Sequence, residues 1–259
     1  MNNGVIELSY FQVFLGYAFV IFILFILNRR NISREKELII ATFRMTIQLL
    51  LVGYILTMVF DNAHPLLTVL IIVIMIGFAV YTVFNKFKGQ LSPSLKRVIM
   101  VALPSGGLIA LLYFMFVVIQ VRPYYNPQYF IPITGMIIGN SMTGISLGIH
   151  TMITRFTHDK AEVEEALFLG ATPKDASETI INDAFDSAIM PTINNMLGMG
   201  IVFLPGMMTG QILSGTDPST AILYQIGIML GILGGVALST YFFLRFGYKT
   251  FYNIDAQLK

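Results

Sequence analysis

Seven stretches of this chain each approach the 20 or so apolar residues a helix needs to cross roughly 30 Å of hydrocarbon, and they govern what the chain can become. They run Ser9–Leu27, Leu38–Phe60, Pro65–Phe84, Val98–Val121, Gln128–Thr154, Ser187–Leu213 and Pro218–Leu244, with Arg44 the one Lys, Arg, Asp or Glu inside them. Over 259 residues the chain is 56% apolar and 12% charged, with a mean hydropathy of +0.75, so lipid is its solvent. The fold class is therefore all-α: a polytopic membrane bundle of seven transmembrane helices, forming one domain over residues 1–259. No basic cluster precedes the first stretch, as one would in a cleavable signal peptide, and it is expected to remain as a helix. With no cysteine, disulfides, thiolate metal sites and iron–sulfur clusters are excluded from this chain.

Charge placement orients the bundle. If the helices alternate, the loops after the first, third and fifth share a side with the C-terminus. Those segments hold Arg29, Arg30, Arg34, Lys36, Lys86, Lys88, Lys96, Arg97, Arg155, Lys160, Lys174, Arg245, Lys249 and Lys259, fourteen of the sixteen basic residues. Basic loops stay cytoplasmic, so the N-terminus is expected outside and the C-terminus inside.

The segment 157–186 then lies in the cytoplasm, carrying Asp159, Glu162, Glu164, Glu165, Asp175, Glu178, Asp183 and Asp186, eight of the fourteen acidic residues. Asp159 and Glu162 have the spacing of a capping box, which predicts a helix from about Lys160 that stops at Gly170. Thr172 as N-cap, Pro173 in the first turn and Asp175 at the positive dipole end predict an immediate restart. In this second helix Ala176, Ile180, Ala184 and Ala188 share a face, and it is expected to run on into the sixth stretch. Such a hairpin reads either as a lever for a soluble partner or as a solvated loop resting on the headgroups.

Within the membrane, Arg44 and Gln48 are four apart and share a helix face. They are candidates for a polar path, or else a snorkelling cation about 10 Å or less from its helix end and an interhelical hydrogen bond. Asn140, Ser141, Thr143, Asn194, Asn195 and Gln211 are further uncharged candidates for that path. Pro191 and Pro205 predict that the sixth stretch kinks, or breaks near Leu204-Pro205-Gly206 into a re-entrant piece facing outward. Gly135, Gly139, Gly144 and Gly148 in the fifth stretch, and Gly227, Gly231 and Gly235 in the seventh, form small-residue faces on which helices can approach closely. Met196, Met199, Met207 and Met208 read as apolar filler or as soft ligands, and no histidine pair has ligand spacing, so no metal site is assigned. No Gly-x-x-x-x-Gly-Lys-Ser/Thr occurs, so energy must come from a partner or an ion gradient.

Glu164-Glu-Ala-Leu-Phe-Leu-Gly170 resembles the EAA-xxx-G coupling motif of ABC transporter permeases, with Glu165 in the second position and without the Ile-x-Leu-Pro that follows there. Three stretches widen the likeness: Pro132-Ile-Thr-Gly-Met-Ile-Ile-Gly-Asn-Ser-Met142, Glu165-Ala-Leu-Phe-Leu-Gly-Ala-Thr-Pro173, and Leu204-Pro-Gly-Met-Met-Thr-Gly-Gln-Ile-Leu-Ser-Gly215 continuing to Tyr224-Gln225. In this order, over essentially the whole chain, they are similar to the FetB-type iron export permease family, which includes a plant aluminium-tolerance permease. The resemblance implies a permease subunit in the plasma membrane, the inner or cell membrane of a bacterium, exporting iron or another small solute. It implies no enzyme activity and no cofactor in this chain, ATP and Mg being bound by a separate cytoplasmic ABC ATPase. Carried onto these positions, Glu164, Glu165, Ala166, Leu167, Gly170, Ala171 and Pro173 would meet that ATPase. Because the chain offers one docking helix to a paired engine, a homodimer is expected, surrounded by membrane lipid and binding no nucleic acid. The alternatives are an ATP-independent carrier or channel, and a non-transporting scaffold whose acidic hairpin recruits a basic partner.

Overall fold

A computed structural model describes residues 8–259, and among them the regular structure is almost wholly helical. Among the described residues, six helical spans are long and apolar enough to cross a membrane: Tyr10–Arg29, Glu35–Asp61, Pro65–Lys86, Pro93–Ile119, Pro127–His158 and Pro218–Phe251. The sequence treats the chain as one domain; its backbone contacts divide it into two compact units.

The smaller unit holds the chain up to Ala63 together with Leu213–Gly215. Its first span is two short helices, α1 (Tyr10–Gly16) and α2 (Ala18–Arg29), joined at Tyr17. Ser9 opens α1 with a reciprocal cap, its Oγ accepting from the Gln12 amide while the Gln12 side chain accepts from the Ser9 amide. The second span is α3 (Glu35–Asp61), and the Tyr17 hydroxyl pairs with that of Thr46. Arg44, exposed, and Gln48, half-buried, lie on α3.

The larger unit is built on α4 (Pro65–Lys86), α5 (Pro93–Tyr113, prolonged by a π-helical stretch to Ile119), α6 (Pro127–His158), α9 (Glu178–Gly198) and α11 (Pro218–Gly247). Prolines stand at the first position of α4, α5, α6 and α11, where the absent N–H costs nothing, behind His64, Ser92, Asn126 and Asp217 as side-chain caps. Lipid supplies no hydrophobic force between helices, so close packing by small residues holds them. The closest approach is at Gly106 of α5, where a Cβ would lie 2.2 Å from the Ser239 amide nitrogen of α11. Two apolar clusters fill the interior, one around Leu95, Ile99, Ile149, Met152 and Phe243, the other around Leu111, Phe114, Met115, Ile137 and Ile228.

The sixth stretch differs from a single span. Its helix begins in the acidic hairpin and stops at Gly198, and a separate α10 (Gly206–Leu213) follows. Between them the chain turns sharply: Gly200 has φ +83, its amide donates to the Phe203 carbonyl at 2.9 Å, and Pro205 has no amide to extend a helix. Asp183 and Asp186, together with Asn182, Asn194 and Asn195, leave α9 too polar to stand among the apolar spans. Even so, α9 runs antiparallel to α6: a Cβ at Gly144 would lie 3.2 Å from the Ala188 carbonyl, and one at Gly148 3.5 Å from that of Ala184.

Candidate functional site

The acidic hairpin is α7 (Lys160–Phe168), a tight turn, the single-turn α8 (Pro173–Ala176) and the start of α9. Gly170 ends α7 with φ +94, its amide bonding the Leu167 carbonyl while the Ala171 amide bonds that of Ala166, both at 3.0 Å. This paired closure is a Schellman cap, and the left-handed backbone it requires is why glycine stands there. Thr172 accepts from the Asp175 amide and donates to the Asp175 carboxylate at 2.6 Å, starting α8 as the sequence predicts.

The expected capping box at the front of α7 does not form. Asp159 makes no side-chain cap bond, because its carboxylate is held by Arg155 at 3.0 Å. The same guanidinium reaches Asp183 of α9 at 2.9 Å, so one cation ties the foot of the hairpin to α6 and α9. The attraction of one guanidinium for two carboxylates holds Asp159 toward Arg155 and away from the free amides of α7.

The hairpin is fastened from beneath as well. Val163, Phe156, Ile180 and Tyr252 are all buried in one cluster, with Leu167 and Ala176 packed against it. Phe156 stacks on Phe251 with ring centroids 4.3 Å apart and meets Tyr252 edge-on at 6.1 Å. Ser177, fully buried between α8 and α9, donates its hydroxyl to the Pro173 carbonyl at 2.7 Å and so accepts from the Tyr252 hydroxyl at 2.6 Å. Burial raises the pKa of that phenol above its ordinary value. The segment after α11 thus ties the hairpin to the bundle, a role the sequence gives no sign of.

The other side of the hairpin faces outward. Phe168 is 90% and Leu169 83% exposed at the turn. Glu165 is exposed, and Glu164 is half-buried and lies 3.7 Å from Lys160. Ala166 and Leu167 are half-buried, Gly170 is exposed and a Cβ there would meet nothing within 4 Å. Ala171 and Pro173 flank the turn, half-buried. Two adjacent large apolar side chains left exposed beside carboxylates describe a surface that gains by being covered.

Of the polar membrane candidates, Asn140 and Thr143 bond carbonyls of their own helix, those of Met136 at 2.7 Å and Gly139 at 3.1 Å. Ser141 is fully buried with no hydrogen-bond partner for its hydroxyl. Asn194 and Asn195 are exposed on α9, Gln211 is half-buried on α10, and Arg44 and Gln48 belong to the smaller unit. The antiparallel register sets Asn194 and Asn195 level with Ile138 and Ile137 of α6, close in depth to Asn140.

The same register exposes what the linear sequence hides: Asp186 lies level with Ser146, eight residues or about 12 Å inside the end of the fifth apolar stretch. Glu178, Asn182, Asp186, Met190 and Asn194 are all exposed and four apart, so a mostly polar stripe climbs the length of α9 opposite its buried Ile180, Ala184, Ala188 and Thr192. The polar i, i+4 spacing of 178, 182 and 186 is legible in the sequence; that the stripe reaches Asn194 at the level of Ile138 on α6 follows only from the register of α9 against α6.

The small-residue faces meet helices of the same unit. Gly144 and Gly148 lie against α9 and α11, Gly227 and Gly231 against Phe114, Gly235 against Ile137, and Gly135 against Met75 of α4. Gly139 has nothing within 4 Å. Among the described residues no group of three or more His, Asp or Glu side chains is gathered in positions to hold a metal.

A family model described as "Uncharacterised protein family (UPF0014)" matches residues 10–252. A UPF0014 membrane protein of Synechocystis is 35% identical over 263 residues, covering 100% of this chain and 99% of the relative. The probable iron export permease protein FetB of Escherichia coli is 32% identical over 244 residues, 94% of this chain and 92% of that protein. The protein ALUMINUM SENSITIVE 3 of Arabidopsis thaliana is 31% identical over 211 residues, 82% of this chain and 76% of that protein. No solved structure matches.

Proposed function

The chain belongs to the family described as uncharacterised protein family UPF0014, and from that premise we propose that it is the permease subunit of a transporter driven by a separate ATPase. It is a multi-pass membrane protein, and the name of its Escherichia coli relative supports transport of a metal, iron first among the cargoes to test. The observation that carries the reading is the hairpin: an exposed apolar tip, Phe168 and Leu169, on a short helix fastened to α6, α9 and the end of α11. A lever needs a grip at one end and a rigid joint at the other. Glu164, Glu165, Ala166, Leu167, Gly170, Ala171 and Pro173 form the grip, and Arg155, Ser177 and Tyr252 the joint.

Force applied at the tip passes into α9, whose polar stripe with Asp186 and Asn194, and Asn195 next to it, is the proposed wall of the transport path, with Asn140 and Thr143 of α6 as further proposed lining residues. Exposed carboxamides and a carboxylate at that depth are costly against lipid and ordinary against water. A second copy of the chain would close the other side of the path. The path exports toward the outside in the orientation that places the hairpin in the cytoplasm of the cell membrane.

Co-purification with the cognate ATPase tests the reading. Wild-type protein is expected to hold the ATPase, and Phe168→Ser/Leu169→Ser to release it while keeping its thermal midpoint. Retention of the ATPase by that variant would remove the grip from the hairpin.

A further inference from the structure

On the hairpin side of the larger unit, the groove between α8–α9 and the end of α11 deepens into a half-enclosed cavity of about 650 Å³. Three cations line it: Lys174 of α8, Arg245 near the end of α11 and Lys249 just beyond. Its apolar wall is Ile181, Phe185 and Leu244. No Asp or Glu is among the lining residues, and among the described residues none of these cations is paired with a carboxylate. Arg245 is held ready, donating to the Tyr241 hydroxyl at 2.8 Å with its guanidinium 5.9 Å from the centre of that ring.

The general bias of basic residues toward the cytoplasm accounts for cations at this level. It does not account for three of them, from two separate elements, converging on one concavity beside apolar side chains. The site lies where the long apolar run of α11 gives way to Arg245, so its apolar wall is at membrane level and its cations are at the headgroups. A ligand that satisfies both halves has an anionic head and a hydrocarbon body.

We propose that this cavity is a binding site for an anionic phospholipid. The phosphate is held by Lys174, Arg245 and Lys249, and an acyl chain lies along Ile181, Phe185 and Leu244. A free anion has no use for the apolar wall, and a zwitterionic lipid brings its own cation to the phosphate. Because Lys174 is in the hairpin and the other two cations are on α11 and its extension, the bound lipid bridges the proposed lever to the bundle. The bridging of lever and bundle rests on the function proposed above; binding itself stands or falls apart from transport.

The test is native mass spectrometry of the full chain in neutral detergent, titrated with phosphatidylglycerol or phosphatidylcholine, with inorganic phosphate as competitor. Wild-type protein should bind phosphatidylglycerol in preference, and millimolar phosphate should leave it bound. Each basic residue at an anionic surface is worth roughly fivefold in association, so Lys174→Gln/Arg245→Gln/Lys249→Gln should weaken binding at least tenfold. The control Lys88→Gln/Lys96→Gln/Arg97→Gln removes as many exposed cations outside the cavity and should stay within twofold of wild type. If the cavity variant misfolds, Lys249→Gln alone should show about the fivefold step. Equal loss in the control, equal binding of phosphatidylcholine or displacement by phosphate would overturn the proposal. So would a cavity variant that binds lipid normally and instead shifts a dimer to a monomer, which would make a second copy the occupant.

Discussion

Truncating Tyr252 should loosen the hairpin in two graded steps. Tyr252→Phe removes one buried hydrogen bond, the 2.6 Å contact to Ser177, while Ser177 keeps its bond to the Pro173 carbonyl. A neutral bond of this kind is worth about 1 kcal/mol net, or about fivefold in local opening. Tyr252→Ala also removes a ring that is 6% exposed and set edge-on to Phe156. Deleting a buried aromatic costs about 3–5 kcal/mol, so opening of the hairpin should rise by at least about a hundredfold. Hydrogen exchange of the amides in 160–176, measured in nanodiscs, reads the effect. The expected result is a small acceleration for Phe and a large one for Ala, confined to the hairpin and the start of α9, with the apolar spans unchanged. Transport per ATP should fall in the same order while the ATPase stays bound. Hairpin exchange in Tyr252→Ala equal to wild type would refute the claim that the segment after α11 is the joint.

Gly170 separates cap from grip. With φ +94, Gly170→Val should strain the turn by about 1–2 kcal/mol, whereas Gly170→Asn suits the cap; both add bulk to an open surface, so transport per ATP should fall in both and the thermal midpoint in Val alone. Gly106→Ala should lower stability by about 1–3 kcal/mol, read as a lower midpoint in detergent, because the methyl meets the backbone of Ser239 at 2.2 Å; an unchanged midpoint would refute the close approach. The chain has no cysteine, so single replacements report cleanly. Asp186→Cys and Asn194→Cys should react with a water-soluble thiol reagent, and Leu230→Cys, 56% exposed on α11, should not; unreactive α9 positions would exclude a water-lined stripe.

Much of this was legible in the residues because it is local. Apolar length marked six of the seven expected spans, and Gly170, Thr172 and Pro173 marked the turn, since a left-handed cap and a proline-led helix start are chemistry of a few neighbouring positions. The capping box fails because Asp159 is engaged by Arg155 one turn earlier, and the same guanidinium serves Asp183, 24 positions beyond Asp159, a pairing that no local pattern contains. Pro205 pointed to a break, but the helix stops earlier, at Gly198, where the turn around Gly200 and the Phe203 ring replace it. Gly106 is silent in the sequence because its partner is Ser239, and Tyr252 because its partners are Phe156 and Ser177; such pairings leave no periodic trace. The depth of Asp186 needed the register of α9 against α6, which no hydropathy window contains.

The central claim is that the hairpin takes its force from an ATPase that this chain lacks. Its most direct test is ferrous iron flux in proteoliposomes containing the chain with or without the cognate ATPase, in the presence and absence of ATP. The account requires ATP-dependent flux from the pair, none from the chain alone, and loss of flux in Phe168→Ser/Leu169→Ser. Gradient-driven flux of equal rate from the chain alone would contradict it.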